Sequence, residues 1–292
     1  MTTSTLLRQI TLATFALTAC TRICSAASPA DLSVPSVPAA QPSLKLDIKL
    51  DMIAGLPVVD DVYLNGQGPY RFLLDTGSQT NQVDASLAKK LGIAVTRQVE
   101  QATPTGFTKV SAGTVHTVAL GAASVAATVD QDFIFLPGDG LHQLDPTIRG
   151  ILGQQFLSHF NYTLDFKHHR LTFGDDTATG EAVKFRKVYG CMAVTTDLGE
   201  LLLDSGTQKL FLFAATNPAS ASNSNVTTAN GRAAVSSKRA PSLSVAGKKY
   251  YPEEMLVREV AEAPTVGLLP ATLFHAIHVS NTEGTIILNP GE

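Results

Sequence analysis

Two octets decide the fold of this chain: FLLDTGSQ at residues 72–79 and LLLDSGTQ at residues 201–208. In each octet an apolar run leads directly into an aspartate, a small hydroxyl residue and a glycine. An aspartate at the end of a buried strand is costly unless another group uses or neutralises it. Because the two octets have nearly the same sequence, Asp75 and Asp204 are predicted to act together.

The segments around the octets repeat in the same order. GILGQQFLSHFNYTLDFKHHRLTF (150–173) follows the first octet, and VGLLPATLFHAIHVSNTEGTIIL (266–288) follows the second with a slightly shorter hairpin. Matching segments in a fixed order form an internal repeat. The unit is too long for a solenoid, so it predicts two similar lobes that face each other, like a twofold dimer within one chain.

Composition and periodicity indicate the fold class. The 292 residues are 44% hydrophobic and 16% charged, as expected for a packed globular protein. From residue 45 onward, short alternating segments separated by glycines predict an all-β, mainly antiparallel fold with short helices at 84–93 and around QQFLSHF. The predicted lobes span residues 45–180 and 181–292. The net charge of −3 comes with no basic stripe, so nucleic acid is not an expected partner.

The first 27 residues resemble an export signal, with Arg8 ahead of an apolar core at 10–19 that is too short to span a membrane. Two exits are open. LTAC, ending at Cys20, resembles a lipobox that would give a lipid tether, whereas Ser25-Ala26-Ala27 resembles an ordinary cleavage site. Residues 28–44 are rich in Pro, Ser and Ala and predict a linker. The expected location is the periplasm or cell envelope.

Two carboxylates brought together by a twofold axis cannot both ionise cheaply, so they share one proton. One then acts as a base and the other as an acid. A water held between them can be deprotonated by the base while the acid protonates a peptide carbonyl. Asp75 and Asp204 are therefore the predicted catalytic residues, and this chemistry needs no metal, cofactor or other nucleophile.

Three pairs of neighbouring residues are predicted to support the aspartates. A glycine pair would let each loop turn tightly beside the other lobe. One hydroxyl pair would hydrogen-bond across the lobe junction, and a second would bond the outer carboxylate oxygens and fix their orientation. In that order the pairs are Gly77 with Gly206, Thr76 with Ser205, and Ser78 with Thr207.

Three other features have more ordinary interpretations. His168 and His169 could ligate a metal, but no Cys, Asp or Glu set with ligand spacing surrounds them, so a solvated turn is favoured. Cys191, the only cysteine after the leader, is expected to pack as a small hydrophobic residue. The Ser/Asn/Ala-rich segment 217–239 is predicted to be a mobile surface loop, with a substrate-covering flap as the alternative.

The octets resemble those of the pepsin and retropepsin superfamily of aspartic peptidases. The resemblance rests on FLLDTGS, LLLDSGT, GILG (150–153) and VGLL (266–269), and it covers about residues 45–290. The phrase that begins at GILG is similar to the bacterial retropepsin-like group. The resemblance implies a bilobal acid-protease fold with Asp75 and Asp204 as its dyad. It also makes residues 103–113, with Phe107, the positional candidate for a flap.

Lobe two departs from that pattern where Leu269-Pro270 replaces Leu152-Gly153, which predicts an altered strand exit. Two functions therefore stay open. The first is an aspartic endopeptidase that cuts extended polypeptides, and the second is a non-catalytic peptide-binding or structural cell-envelope protein on the same fold. Hydrogen-bonding proximity of the two carboxyls favours the first. A monomer is expected, because both acids are already in one chain.

Overall fold

The computed structural model describes residues 46–103, 106–121, 125–127, 130–136, 139–174, 178–214, 222–228, 231–259 and 265–291. The predicted export signal, Cys20 and the linker lie outside these residues. Within the described residues, no helix is long and apolar enough to cross a membrane.

The first half of the chain is built of short strands and three short helices. They are β1 (Leu46–Lys49), β2 (Asp51–Ile53), β3 (Leu56–Leu64), β4 (Gln67–Leu74), β5 (Asn81–Asp84), α1 (Ala85–Lys90), β6 (Arg97–Thr103), β7 (Gly106–Val115), β8 (Val118–Leu120), β9 (Val125–Ala127), β10 (Gln131–Leu136), α2 (Asp139–Leu144), β11 (Ile148–Leu152), α3 (Gln154–Leu157), β12 (Tyr162–Asp165) and β13 (Arg170–Phe173).

The second half is built of strands and one 3₁₀ turn. They are β14 (Ala182–Lys184), β15 (Arg186–Val188), β16 (Cys191–Thr196), β17 (Gly199–Asp204), β18 (Leu210–Ala214), β19 (Ser222–Thr228), β20 (Gly231–Arg239), β21 (Leu243–Val245), β22 (Lys248–Tyr250), β23 (Glu254–Glu259), β24 (Gly267–Pro270), the turn Ala271–Leu273, β25 (Ala276–Ser280) and β26 (Thr285–Leu288).

The strand order makes the internal repeat visible. The first-lobe sheet runs β6-β7-β10-β5-β11-β4-β3-β8-β9, and the second-lobe sheet runs β19-β20-β23-β18-β24-β17-β16-β21-β22. β2 joins β3 in the first sheet, and β15 joins β16 in the second. Each position in one sheet therefore has a counterpart in the other. The predicted all-β, bilobal fold with a pseudo-twofold duplication is confirmed.

A third sheet joins the halves. Its order is β1-β13-β12-β25-β26-β14, and the antiparallel pair β12–β25 crosses from one half to the other. Thr163 of β12 lies opposite His278 of β25, and their side chains are hydrogen-bonded at 3.0 Å. The two lobes thus share main-chain hydrogen bonds as well as packed side chains.

The apolar runs of the octets are buried on both faces of their strands. In β4, Phe72 and Leu74 enter the large core that extends through both lobes, whereas Leu73 enters a smaller cluster on the opposite face of the first sheet. A strand covered on both faces reads as a continuous apolar run, not as an alternation. This explains why FLL and LLL precede the two aspartates.

The helix predicted at 84–93 and the hairpin predicted at 167–169 are both present. The helix expected at 84–93 is α1, and the Asp84 side chain caps it by accepting the Leu87 N–H. The hairpin expected at 167–169 joins β12 to β13. There His168 bonds Asp165 through its main-chain N–H and its ring. Among the described residues, no group of three or more His, Cys, Asp or Glu side chains could hold a metal.

The prediction of a mobile loop at 217–239 is wrong for the part that the structure describes. β19 and β20 form a long antiparallel hairpin, and β20 pairs in turn with β23. Val226 and Val235 are buried in the outer cluster of the second lobe. Pairing and burial therefore make strands of a polar sequence, which local propensity alone does not predict.

The strand exit of lobe two is not altered in register. Leu152 lies opposite Leu74 in β11–β4, and Leu269 lies opposite Leu203 in the equivalent pair β24–β17. Both pairs are parallel. Pro270 continues the second pair by lying opposite Asp204. The expected change at Leu269-Pro270 therefore does not displace the second octet.

Candidate active site

Asp75 and Asp204 lie at the ends of β4 and β17, the strands that carry the two octets. Both side chains are almost completely buried, at 0% and 3% exposure. The Asp75 N–H donates to the carbonyl of Leu152 in the neighbouring strand at 3.0 Å. Each aspartate is therefore positioned by the centre of a ten-stranded sheet, not by a free loop.

The two carboxyls lie within hydrogen-bonding reach of each other. Each also accepts a main-chain N–H from the glycine two residues later. Gly77 donates to Asp75 Oδ1 at 2.9 Å, and Gly206 donates to Asp204 Oδ1 at 2.7 Å. The predicted pair is thus brought together, with matched support in the two lobes.

The environment favours protonation of the pair. Burial raises the pKa of the Asp75 carboxyl well above its ordinary value, and the charge of Asp204 raises it further. Burial also raises the pKa of Asp204, although the Gly206 N–H opposes that shift. Two neighbouring buried carboxyls therefore hold a proton more tightly than an exposed aspartate does.

The glycines of both octets are required by close packing across the lobe junction. A Cβ on Gly77 would lie 2.4 Å from Asp204 Cγ, and a Cβ on Gly206 would lie 2.6 Å from Asp75 Cγ. Real Cβ atoms essentially never approach other atoms so closely. Each lobe therefore places its glycine against the carboxyl of the other lobe, which sharpens the prediction of a tight turn there.

Thr76 and Ser205 hydrogen-bond across the junction as predicted. The Thr76 hydroxyl donates to the Leu203 carbonyl at 2.8 Å and accepts the Ser205 N–H at 3.0 Å. Reciprocally, the Ser205 hydroxyl donates to the Leu74 carbonyl at 2.8 Å and accepts the Thr76 N–H at 3.0 Å. Four buried hydrogen bonds thus fix the two octets relative to each other.

Ser78 and Thr207 do not orient the carboxylates through their hydroxyls, which corrects the prediction. The Ser78 hydroxyl donates to the Thr80 carbonyl at 2.8 Å, and the Thr207 hydroxyl donates to the Lys209 carbonyl at 3.3 Å. Serine and threonine hydroxyls commonly bond main-chain groups a few residues away. Because the chain turns here, the carbonyl two residues later lies within reach of each hydroxyl. Both hydroxyls thus stabilise the turn that follows their own octet.

The last letter of each octet has a role that sequence reasoning missed. Gln79 of the first octet packs against Gly190, where a Cβ would lie 3.3 Å from its Cγ. Gln208 of the second octet packs against Gly55, where a Cβ would lie 2.8 Å from its Nε2. The sequence did hint at a shared role, because both octets end in Gln. These contacts reach from each lobe to a turn of the other.

Among the described residues, two contacts to the first octet have no counterpart in the second. Gln154 donates from Nε2 to the Thr76 carbonyl at 2.8 Å, and the Cys191 thiol donates to the Gly77 carbonyl at 3.3 Å. Cys191 is buried as expected, and burial together with the two aspartates raises its pKa. It therefore stays a protonated thiol beside the carboxyl pair.

Two β-hairpins occupy equivalent places at the edges of the lobe sheets, β6–β7 in the first and β19–β20 in the second. The flap candidate 103–113 falls in the first hairpin, although the Phe107 side chain lies outside what the structure describes. The second hairpin reaches α2 of the first lobe. The alternative interpretation of 217–239 as a flap is therefore compatible with its strand structure.

The chain is similar to known proteins in two respects, a family model and a solved structure. Residues 60–156 match the family model of the aspartyl proteases, a segment that contains the first octet and ends in α3. None of the curated proteins compared with the chain matches it. Among solved structures, the chain is similar to a retropepsin-like aspartic protease from Rickettsia conorii, with 20% identity and a TM-score of 0.32 over 44% of this chain and 89% of that one.

The family match supports a protease-like function, and it rests on the lobe that carries Asp75. The predicted resemblance to aspartic peptidases is thereby supported for residues 60–156.

Proposed function

We propose that this chain is an aspartic endopeptidase, with Asp75 and Asp204 as its catalytic residues. The observation that carries the proposal is the buried carboxyl pair itself. The two acids come from equivalent strands, lie within hydrogen-bonding reach and have raised pKa values. A pair of titratable groups with perturbed pKa values at a junction between lobes is typical of a catalytic site.

The reaction follows from one shared proton. The ionised carboxylate takes a proton from a water molecule, whose oxygen attacks the peptide carbonyl carbon. The protonated carboxyl gives its proton to the carbonyl oxygen, which produces a neutral tetrahedral diol. One hydroxyl of the diol then gives its proton to the carboxylate, and the other carboxyl gives its proton to the nitrogen. The C–N bond breaks, and a carboxylic acid and a neutral amine leave. The pair ends with one proton again.

The support around the pair suits this chemistry, because it limits motion during proton transfer. The Gly77 and Gly206 N–H groups fix one oxygen of each carboxyl. The Thr76–Ser205 hydrogen bonds keep the lobes from sliding apart at the site. Preorganised groups of this kind lower the reorganisation needed in the transition state.

A binding-only function is less well supported. A module that merely holds a peptide has no need of two buried acids in contact, since burying them is costly. Replacing both by uncharged residues would stabilise such a module. The retained pair therefore favours hydrolysis over binding alone.

The test is digestion of an unfolded polypeptide by the purified protein over a range of pH, read by mass spectrometry. Asp75→Asn and Asp204→Asn are each expected to abolish cleavage while leaving the fold intact. Asp61→Asn is the matched control, because Asp61 is an exposed aspartate on a first-lobe strand. Full cleavage by either dyad variant would refute the assignment.

We also propose that the protein is exported and acts as a monomer in the cell envelope. The leader and linker patterns support export, and the presence of both acids in one chain supports a monomer. Fractionation of cells that express the full chain or its Cys20→Ser variant tests the tether. Release from the membrane fraction only in the variant indicates lipidation, and a cytosolic location of both would contradict export.

A further inference from the structure

Two peptide groups of the first octet face Asp75 on one side and a buried side-chain donor on the other. The peptide group that follows Thr76 donates its N–H to Asp75 Oδ1 at 2.9 Å, and its carbonyl accepts Gln154 Nε2 at 2.8 Å. The carbonyl of the next peptide group accepts the Cys191 thiol at 3.3 Å, and its N–H also acts on the Asp75 carboxyl. Asp75 is thus joined to Gln154 and to Cys191 through one peptide group each.

Gln154 and Cys191 are held in these positions by the fold. Both are buried, at 2% and 3% exposure. Gln154 begins α3, and its main-chain N–H donates to the Ser78 carbonyl at 2.8 Å, so two hydrogen bonds join this residue to the first octet. Cys191 begins β16 of the second lobe, and its thiol reaches the first lobe across the junction. Each lobe therefore contributes one donor to the back of the same loop.

The places equivalent to these two donors are apolar around the second octet. Ala271 follows the strand residue that lies opposite Asp204, and it takes the place of Gln154. Leu56 begins β3 as Cys191 begins β16, and each follows an equivalent turn. Ala271 and Leu56 are completely buried, and neither side chain can donate a hydrogen bond. The two lobes therefore differ in what stands behind their octets.

The difference between the lobes acts on charge. Hydrogen bonds in a chain polarise one another, and each is strengthened by about 10–30%. A donor on the carbonyl side of a peptide group therefore makes its N–H a stronger donor. The N–H groups of Gly77 and Gly206 bond the two acids in equivalent ways, but only the first belongs to a peptide group that Gln154 polarises. Asp75 thus receives more support for a negative charge than Asp204 does.

We propose that Gln154 and Cys191 are positioning residues that polarise the first octet loop toward Asp75 and set the pH range in which the carboxyl pair holds one proton. The consequence for cleavage rests on the proposed peptidase function, which needs one proton on the pair. By stabilising the ionised pair, the two donors move the pH range of cleavage downward. Both act through the loop and take no part in bond breaking.

The ionisable groups next to the pair do not change their charge in this range. Among the described residues, the Cys191 thiol lies near both carboxyls, and the Tyr162 hydroxyl lies near that thiol. Burial raises the pKa of the thiol and the pKa of the hydroxyl, so both groups stay neutral while the carboxyls titrate. The thiol therefore acts as a fixed hydrogen-bond donor and not as a changing charge.

NMR titration of the aspartate carboxyls in the folded protein tests the proposal without relying on cleavage. A donor that stabilises the ionised pair lowers the sum of its two apparent pKa values, whichever acid carries the shared proton. Gln154→Met removes the Nε2 donor at nearly constant volume, and Cys191→Ala removes the thiol. Each variant should raise that sum by about half a unit, because one hydrogen bond polarises the next only modestly.

Two further variants separate polarisation from packing. Cys191→Ser keeps a hydrogen-bond donor at this position, so the sum should stay at or below the wild-type value. Leu56→Ala leaves a cavity at the equivalent place but removes no donor, so stability should fall while the sum stays unchanged. If Cys191 only filled space, Cys191→Ser would disturb the site more than Cys191→Ala, because a buried hydroxyl is costlier than a methyl group.

The pH dependence of cleavage gives a second measurement. The optimum of kcat/KM lies midway between the two apparent pKa values, so it should rise by about a quarter of a unit in Gln154→Met and in Cys191→Ala. Unchanged sums in both folded variants would overturn the proposal, and so would equal rises in Cys191→Ala and Cys191→Ser. If the wild-type protein cleaves nothing, the peptidase function fails, and the titration alone decides whether the loop is polarised.

Discussion

The two lobes agree closely around the carboxyl pair and differ one layer further out. Thr76 and Ser205 exchange equivalent hydrogen bonds, and Gly77 and Gly206 each pack on the other lobe's acid. Behind this layer, the buried Gln82 of the first lobe is replaced by Phe211 in the second. Groups that contact their own counterparts across the axis are constrained to match, whereas groups that contact only their own lobe are free to diverge.

The largest expected effect comes from Gly77→Ala and Gly206→Ala. Each added methyl would overlap the carboxyl of the opposite lobe, so both variants should lose cleavage about 100-fold or more, in line with the sensitivity of catalysis to small displacements. Overpacking should also cost about 1–3 kcal/mol of unfolding free energy. Steady-state kinetics and urea denaturation measure the two losses.

Gly66→Asn is the control for that comparison. Gly66 has a φ of 74° and open space around its Cβ position, and Asn tolerates this conformation. Cleavage should persist in this variant. A Gly77→Ala protein as active as the control would contradict the packing described at the junction.

The next effect concerns the hydrogen bonds across the junction. Thr76→Val and Ser205→Ala each leave one buried main-chain N–H and one carbonyl of the opposite lobe without their hydroxyl partner. Each should cost about 2–6 kcal/mol of unfolding free energy, since the two unmade buried hydrogen bonds cost about 1–3 kcal/mol apiece. The two losses should be similar and non-additive in the double variant, because both belong to one network.

Exchange of the hydroxyl residues sharpens the same point. Thr76→Ser together with Ser205→Thr keeps all the hydroxyls and should retain cleavage and stability. Denaturation midpoints of the single, double and exchanged proteins measure this. A large loss in one lobe alone would break the symmetry on which the comparison rests.

A smaller effect appears in the pH dependence of stability. Since the pKa values of Asp75 and Asp204 are raised by folding, the folded state binds more protons than the unfolded state above the ordinary aspartate pKa, near about 4. The contribution of this pair to the unfolding free energy is therefore fully present below that pH. It is lost as the pH rises through the pKa values of the pair in the folded protein.

The pH effect is measured as the difference in unfolding free energy between the wild type and Asp75→Asn/Asp204→Asn. The unfolding free energy of the double variant should rise steadily relative to that of the wild type between mildly acidic and neutral pH. The subtraction removes the contribution of other carboxyls, such as Asp84, whose pKa is lowered. Parallel curves would show that folding does not perturb the pair.

The smallest effect distinguishes two surface ion pairs with reversed charges. Arg71 of β4 pairs with Asp51, and at the equivalent places Glu200 of β17 pairs with Arg186. Arg71 is the more buried arginine and also bonds Asp60 and Thr147. Arg71→Ala should therefore lower the melting temperature more than Arg186→Ala does. Equal shifts would mean that the additional contacts of Arg71 contribute nothing.

The sequence predicted the parts of the site that lie within the two repeated octets. The doubled octets predicted the pairing of Asp75 with Asp204, and the hydroxyl after each acid predicted the cross-lobe hydrogen bonds. These inferences succeed because each rests on residues adjacent in the chain. The third sheet, β12–β25, was not predicted as such, because strand pairing over 115 residues leaves no local pattern.

Other features could not be read from the sequence because tertiary contacts decide them. β19 and β20 are strands through their pairing with β23, although their sequence is polar. The Ser78 hydroxyl turns to a nearby carbonyl and not to the carboxyl. Gln101 of β6 and Val226 of β19 are both buried at equivalent places in the two edge hairpins, although one is polar and the other is apolar, so residue type alone does not predict their burial.

The central claim is that the two octets form one site with one shared proton. It is tested most directly by NMR titration of the protein labelled with ¹³C at the aspartate carboxyls, with the dyad resonances assigned from Asp75→Asn and Asp204→Asn. We predict two resonances that shift together in two separate steps, the upper one well above the range of ordinary aspartates. Two carboxyls that titrate independently, each near the ordinary aspartate pKa, would contradict the claim.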